Sequence, residues 1–336
     1  MKNPSNVASR RQKMKAIICT KYGPPEVLKI KDVNLPILKD NQVLIKIHAT
    51  TVTAGDTELR RSKFPAWMWL MARLGFGIIA PRKKIIGQEF SGEIEKVGEN
   101  VKNFKVGDQV YGTTGFRLGT YAEYTSMPEN GIFTFKPKNL TYEEAAAVPV
   151  GGLEALHFIR RANIKAEHKL LINGAGGSIG TIAVQLAKLR DCEVIAVDHT
   201  SKAEMLRSIG VDRFIDYTRE DFTKMGKNFD AILDIVGNTP FSRCVELLNE
   251  NGSYLLANPS LFAMIKGRQI SKKTSKKVIT GASEQYVQDL THLKRLFEDG
   301  RINVVIDRSF TLDEIKEAHV YVETGKKLGN VVIKVI

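Results

Sequence analysis

The spacing of apolar residues along the chain changes twice, and each change marks a different kind of structure. Over residues 14–30 two short apolar runs, MKAIICT and VLKI, flank Tyr22-Gly23-Pro24-Pro25 and predict a hairpin. Residues 43–49 alternate apolar with polar, as a half-buried strand does. Residues 92–97 and 109–112 are further short strands, separated by turns at Gly98-Glu99-Asn100 and Gly107-Asp108. Short strands with dense turn punctuation predict a small, mostly β unit with barrel character. The period then lengthens. A helix is predicted over 141–147, with Thr141 as cap and Glu144 three residues on, and a second helical run reaches Ala162. From residue 169 onward strands and helices alternate: strands at 214–215, 231–236, 254–257 and 278–280, helices over 201–209 and 284–297. This predicts a doubly wound parallel sheet. A helix near 312–324 and a final strand, VVIKVI, resemble the first unit more than the middle, so the C-terminus is expected to return to it.

The stretch 169–198, KLLINGAGGSIGTIAVQLAKLRDCEVIAVD, carries the chemistry. A short apolar strand ends at Asn173. Gly174, Ala175, Gly176, Gly177, Ser178, Ile179 and Gly180 form a turn that runs into a helix with Ile179, Ile182, Ala183, Leu186 and Leu189 on one stripe. Glycines allow positive φ and close backbone approach to a ligand, and free N–H groups at a helix start attract a diphosphate. Asp198 closes the next strand about twenty residues later, where an acid can bind a ribose hydroxyl.

The chain has 336 residues, 43% hydrophobic and 26% charged, an ordinary globular composition of a size for two domains. Its net charge of +13 fits attraction of a phosphate-bearing cofactor or a polyanion, or a lysine-rich surface and nothing more. Cys19, Cys192 and Cys244 are scattered with no CxxC, which points to a reducing, cytoplasmic setting and away from a thiolate metal cluster. Residues 1–13 read as a polar, flexible arm. Two segments are left open. The apolar run 64–81, FPAWMWLMARLGFGIIAP, is too short and interrupted for a membrane span; it reads as a channel lid, a dimer face, an interfacial segment or a packed insertion. The basic run 266–277, KGRQISKKTSKK, reads as a polyanion patch, a rim over the cofactor or a solvated loop, within a 258–277 loop near the pocket.

The motifs KYGPPEVL, VTAGD (52–56), GQEFSGEIEKVG (87–98), FKVGDQVYG (104–112), TYAEY (120–124), AAAVPVGGLEALHF (145–158), NGAGGSIG (173–180), IDY (215–217), DIVG (234–237) and GNVVIKV (329–335) occur in this order. Together they resemble the medium-chain dehydrogenase/reductase superfamily, in its zinc-free quinone oxidoreductase-like branch, over nearly all of 14–336. The resemblance implies an α/β chain: a GroES-like β-rich catalytic domain (1–151 and 282–336) and a Rossmann cofactor domain (152–281), with the active site between them. It implies a small-molecule substrate, a homodimer or homotetramer and no membrane span. Zinc-dependent relatives place a cysteine at Thr53, a histidine at Gln88 and a third ligand near Val150. The residues here are not a tight zinc set, so no metal is expected. Without a Lewis acid to stabilise an alkoxide, hydride transfer to a quinone or an α,β-unsaturated carbonyl is the accessible chemistry.

Matched positions then give the candidate residues. Thr53, Asp56, Gln88 and Tyr111 are expected on the catalytic side, with Asp56 either a cap or a substrate contact and Tyr111 either a donor or a core tyrosine. Glycine-turn residues 174–180, Asp198, Lys202, Tyr217, Val236, Gly237, Glu154 and Asn330 are expected around the cofactor. Asp198 favours NAD, because a carboxylate repels a 2′-phosphate. Lys202 and Tyr217 match positions that grip that phosphate in NADP-using relatives, and Asp198 can rotate away or pair with Lys202. The balance tilts to NADPH. The rival readings are a cofactor-binding protein without catalysis, structural or RNA-binding, for which the net charge leaves room, and an alcohol dehydrogenase by superfamily.

Overall fold

The computed structural model describes residues 12–64, 66–226, 228–281 and 283–336, with side chains described at all of these except 66–68. The arm expected over 1–13 lies outside the described residues up to position 11, and Lys13 already begins a strand.

The expected hairpin is present: Lys13–Cys19 pairs antiparallel with Leu28–Asn34. Beside it stands a seven-stranded sheet. Along its path lie Ile306–Thr311, Asn330–Lys334, Gln42–Thr51, Glu89–Val97, Gln109–Thr113 and Phe133–Phe135, and Tyr124–Pro128 pairs with Gln42–Thr51 off that path. The C-terminal strand does return to the first unit, with Val332 opposite Thr51. The alternation over 43–49 is real: Val43, Ile45, Ile47 and Ala49 are wholly buried, whereas Lys46 and His48 lie partly exposed on the other face, where His48 stacks on Tyr142. Arg60, at the end of Ala54–Arg61, is fully buried. It donates to the Gly23 carbonyl at 2.7 Å and pairs with Glu323 of Ile315–Glu323, so one guanidinium joins three segments of this domain.

The second sheet is six-stranded and wholly parallel, in the order Arg213–Asp216, Glu193–Asp198, Lys169–Asn173, Phe229–Asp234, Leu248–Leu256, Lys277–Thr280. Helices cover both faces, so the strands read as continuous apolar runs. Leu170 and Ile172 point to one core, with Leu156, Ile182 and Leu186. Leu171 points to the other, with Ile195, Ile232 and Leu256. Each such buried aliphatic side chain contributes about 1.5–3 kcal/mol relative to exposure. The strand order reverses between Lys169–Asn173 and Phe229–Asp234, and this is where an open α/β sheet presents a ligand crevice.

Several boundaries differ from those read in the sequence. Residues 258–277, expected as a loop, contain the helix Leu261–Lys273. Ser260 caps it by accepting from the Ala263 N–H at 3.1 Å, and Gly267 lets it lie directly on Val278; its lysines only mark the solvent side. The fifth strand begins earlier, at Leu248: the polar residues Asn249, Glu250 and Asn251 hide its start, and a register shift between Phe229 and Ala231 accommodates them in the pairing. The helix Ser178–Lys188 is buried well beyond one stripe, since Pro149–Ala162 packs over it. Val287–Glu298, counted by sequence with the catalytic domain, shares a core with Pro149–Ala162 through Leu290 and Leu293.

Candidate functional site

The glycine turn sits at the sheet's point of reversal. Asn173 ends its strand. Gly174 (φ +88°) swings the chain outward with its N–H on the Val197 carbonyl at 2.9 Å, and a Cβ there would meet Val236 at 2.9 Å. Gly177 is the N-cap of Ser178–Lys188 and offers no side-chain acceptor, so the first-turn N–H groups stay available to an external anion. A Cβ on Gly177 would meet only the Gly174 carbonyl oxygen, at 3.7 Å, so the space beyond is open. A Cβ on Gly180 would lie 2.4 Å from the Ala175 carbonyl oxygen, so the helix is pressed against its own turn. A nicotinamide dinucleotide fits this cradle.

Asp198 closes its strand as expected, but its carboxylate is already engaged. Oδ2 accepts from the Gly176 N–H at 2.8 Å; Oδ1 accepts from the His199 N–H at 2.8 Å and pairs with the Lys202 ammonium at 3.0 Å. Asp198 and Lys202 are both only 6% exposed. The acid therefore shapes the turn from behind, and its charge is matched by Lys202. Tyr217 stands at the mouth, 59% exposed, near His199. Val236 and Gly237 follow the neighbouring strand, with the Gly237 N–H on Asp234 Oδ1 at 2.9 Å. Asp234 also accepts from Asn173 Nδ2 at 2.9 Å and the Tyr254 hydroxyl at 3.0 Å. This 1%-exposed carboxylate thus fixes the ends of three strands around the cradle. In sequence it was visible only as the first letter of DIVG.

On the catalytic side Thr53 and Asp56 engage each other. The Thr53 hydroxyl caps Ala54–Arg61 by accepting from the Asp56 N–H at 3.1 Å, and Asp56 Oδ2 accepts from the Thr53 N–H at 2.9 Å and hydroxyl at 2.7 Å. The cap reading of Asp56 is therefore the one the geometry shows. Its burial, beside buried Tyr121, pushes the carboxyl up to about 6. Gln88 is half-buried, and its backbone carbonyl receives the Thr114 N–H at 2.8 Å. Of the two readings of Tyr111, the geometry shows the core tyrosine: it is 0% exposed and donates to the Leu290 carbonyl of Val287–Glu298 at 2.8 Å. Among the described residues no three His, Cys, Asp or Glu side chains converge as metal ligands.

Three residues that sequence reasoning missed hold the cleft together. Glu89, next to Gln88, is 1% exposed; Oε1 accepts from the Val150 N–H at 2.7 Å, at the start of Pro149–Ala162, and Oε2 from the Thr51 hydroxyl. A carboxylate suits a helix N-terminus, yet burial pushes Glu89 up to about 7. Lys327 donates to Ser178 Oγ at 2.9 Å and to the Gly329 carbonyl. Burial, then the neighbouring Lys202, lower its ammonium to about 8. Gly329 sends its N–H to the Gly176 carbonyl at 2.8 Å, so the segment before the last strand lies along the glycine turn. Nothing local separates buried Lys327 from exposed Lys326; only the fold does. Asn330 is 2% exposed and donates to the Val305 carbonyl at 3.0 Å, which makes it a brace for this segment. Glu154 is largely buried near Ser283 and Gln285, and its carboxyl is raised by that burial.

Residues 39–137 match the family described as alcohol dehydrogenase GroES-like domain, and residues 209–333 that described as zinc-binding dehydrogenase. The chain is 33% identical to the tomato (Solanum lycopersicum) 2-methylene-furan-3-one reductase over 95% of its length and 79% of the relative's. It is 29% identical to the chloroplastic NADPH-dependent alkenal/one oxidoreductase of Arabidopsis thaliana, over 97% and 81%. The solved quinone oxidoreductase of Coxiella burnetii superposes with a TM-score of 0.85 at 31% identity, over 97% of this chain and all of that one. The cradle, the order of the motifs and these relatives agree: the chain belongs to the quinone oxidoreductase-like branch of the medium-chain dehydrogenase/reductase superfamily and is an NAD(P)H-dependent oxidoreductase.

Proposed function

We propose that this enzyme reduces the conjugated double bond of α,β-unsaturated carbonyls, or quinones, with NADPH in preference to NADH and without zinc. The observation that carries the reading is the donor set at the positions where zinc-dependent relatives hold their metal. These are Thr53, Gln88 and Val150, a hydroxyl, an amide and an aliphatic side chain where a zinc site needs thiolate, imidazole or carboxylate. Their neighbours are also committed: Thr53 to Asp56, and the Val150 N–H to Glu89. A zinc ion does not fit this set, and no step is assigned to one. The tomato and Arabidopsis relatives, named for a furanone and for alkenals and alkenones, support the substrate class.

When bound, the reduced nicotinamide supplies the hydride; the chain positions and solvates. The first-turn amides from Ser178 to Gly180 hold the diphosphate, and Lys327 and Gly329 fix that turn against the catalytic sheet. The Gln88 side-chain amide orients the substrate oxygen on which charge collects, and Asp56 holds Thr53 in place beside it. A buried Asp56 held near pH 6 behind the Thr53 hydroxyl offers one proton route, and solvent another. The preference for NADPH rests on Lys202, which neutralises Asp198 and so removes the repulsion a 2′-phosphate would meet. Three free, buried cysteines suit a cytoplasmic setting.

A panel of quinones, enones and simple alcohols, each with both cofactors in both redox states, tests the reading. NADPH oxidation with enones or quinones is expected, unchanged after dialysis against a chelator. Steady alcohol oxidation abolished by the chelator would overturn it. In the same assay Lys202→Ala is expected to lower kcat/KM for NADPH at least tenfold relative to NADH; an unchanged ratio would remove Lys202 from the specificity argument.

A further inference from the structure

The apolar run 64–81 is not absorbed by the redox site. It forms the helix Ala66–Phe76 and a following turn, and much of it faces outward: Leu70, Met71, Leu74, Ile78 and Ile79 are exposed, Ile79 by 87%. Phe116, 81% exposed, reaches the same face, its ring 5.9 Å from Phe76. An apolar hollow of about 600 Å³ opens there, between Phe64, Met71, Phe76 and Phe116. The face is held in place. Arg73 lies over the Tyr22 ring at 4.4 Å, and the Tyr22 hydroxyl donates to the Gly77 carbonyl at 2.8 Å. Monomeric proteins seldom leave so continuous an apolar surface without an occupant.

Charge decides which occupant fits. From residue 59 to residue 88 the chain carries seven Lys and Arg and no Asp or Glu. Arg82 and Lys83 line the hollow itself, and Lys84 and Arg117 adjoin them. A second copy docked by two-fold symmetry would set this cationic rim against itself. An anionic surface with an apolar interior complements both features at once. Tryptophan, leucine and isoleucine above a ring of Lys and Arg is also the composition of segments that lie in a bilayer interface.

We propose that residues 64–84, with Phe116 and Arg117, seat the enzyme peripherally on an anionic lipid bilayer, with Leu70, Ile78, Ile79 and Phe116 entering the headgroup–acyl boundary and Arg82, Lys83, Lys84 and Arg117 contacting lipid phosphates. Apolar substrates dissolved in that bilayer would then be concentrated beside the enzyme.

The chain supplies its own probe, because its two tryptophans, Trp67 and Trp69, both lie in this segment. The full-length protein is mixed with vesicles of phosphatidylcholine alone or with 30% phosphatidylglycerol, at low and at moderate salt. The anionic vesicles are expected to bind at least tenfold more strongly, to shift tryptophan emission to the blue, and to release the protein as salt rises. Leu70→Asp/Ile79→Asp and Lys83→Glu/Lys84→Glu are each expected to reduce binding at least tenfold while keeping the unfolding midpoint and NADPH affinity of the parent. The proposal is overturned if the parent protein ignores anionic vesicles, or if its emission does not move. It is overturned equally if the aspartate pair binds vesicles undiminished, or dissociates a dimer that itself never bound them.

Discussion

Gly177→Ser is expected to stabilise the cofactor-free protein and abolish cofactor binding. The two effects have opposite signs because one atom position serves two purposes. Gly177 is the N-cap of Ser178–Lys188, with φ −95° and ψ −177°, a conformation serine adopts freely. A serine hydroxyl there accepts from a first-turn N–H that now has no side-chain partner, contributing roughly a few tenths of a kcal/mol over glycine. The room for its Cβ exists because the cradle is open, but that room and that N–H are what a diphosphate uses. NADPH affinity should fall at least a hundredfold by fluorescence titration while the thermal midpoint holds or rises. Gly180→Ala is the contrasting variant. Its Cβ meets the Ala175 backbone at 2.4 Å, so it should lose both properties, at an overpacking cost of about 1–3 kcal/mol. If Gly177→Ser binds NADPH as the parent does, the diphosphate does not sit on this turn.

That contrast also marks what could be read from the sequence. The glycine turn, Asp198, the alternation of strands and helices and the return of the C-terminus were all legible, because each follows from a local period or a backbone requirement. The Thr141–Glu144 capping box was legible for the same reason and is present, with the Glu144 N–H on Thr141 Oγ1 at 3.1 Å. What Asp198 does was legible only in part. Its pairing with Lys202, four residues on, was one of the readings, but its acceptance of the Gly176 N–H depends on how two segments meet. Tyr111 was left open for a similar reason: a tyrosine in a motif looks the same whether its hydroxyl faces a substrate or the Leu290 carbonyl, 179 residues away. Glu89, Lys327 and Asp234 are polar residues in apolar or ordinary surroundings, and only burial shows that they hold the cleft. The helix Leu261–Lys273 was hidden by charge, since six of its thirteen residues are polar or cationic side chains that face solvent and carry no apolar stripe of helical period.

The pH dependence of stability follows from the least legible of these residues. Glu89 is ionised in the unfolded chain above about 4.5, whereas in the folded protein its burial holds the carboxyl up to about 7. Between those values the native state binds a proton that the unfolded state has lost, so stability declines as pH rises through this window and the cost is complete above it. From 4.5 to about 7, at 1.36 kcal/mol per pH unit, the cost reaches on the order of 3 kcal/mol. Asp56, raised from 3.8 to about 6 by burial, acts in the same direction over a lower range. Glu89→Gln keeps an acceptor for the Val150 N–H and removes the charge. The variant should match the parent near pH 4.5 and exceed it progressively towards pH 8, as read by urea unfolding of the cofactor-free protein. The parent's remaining slope below pH 6 should persist, since Asp56 is untouched. A constant offset between variant and parent across the range would mean that Glu89 stays ionised in the fold, stabilised by the N-terminus of Pro149–Ala162 more than burial penalises it.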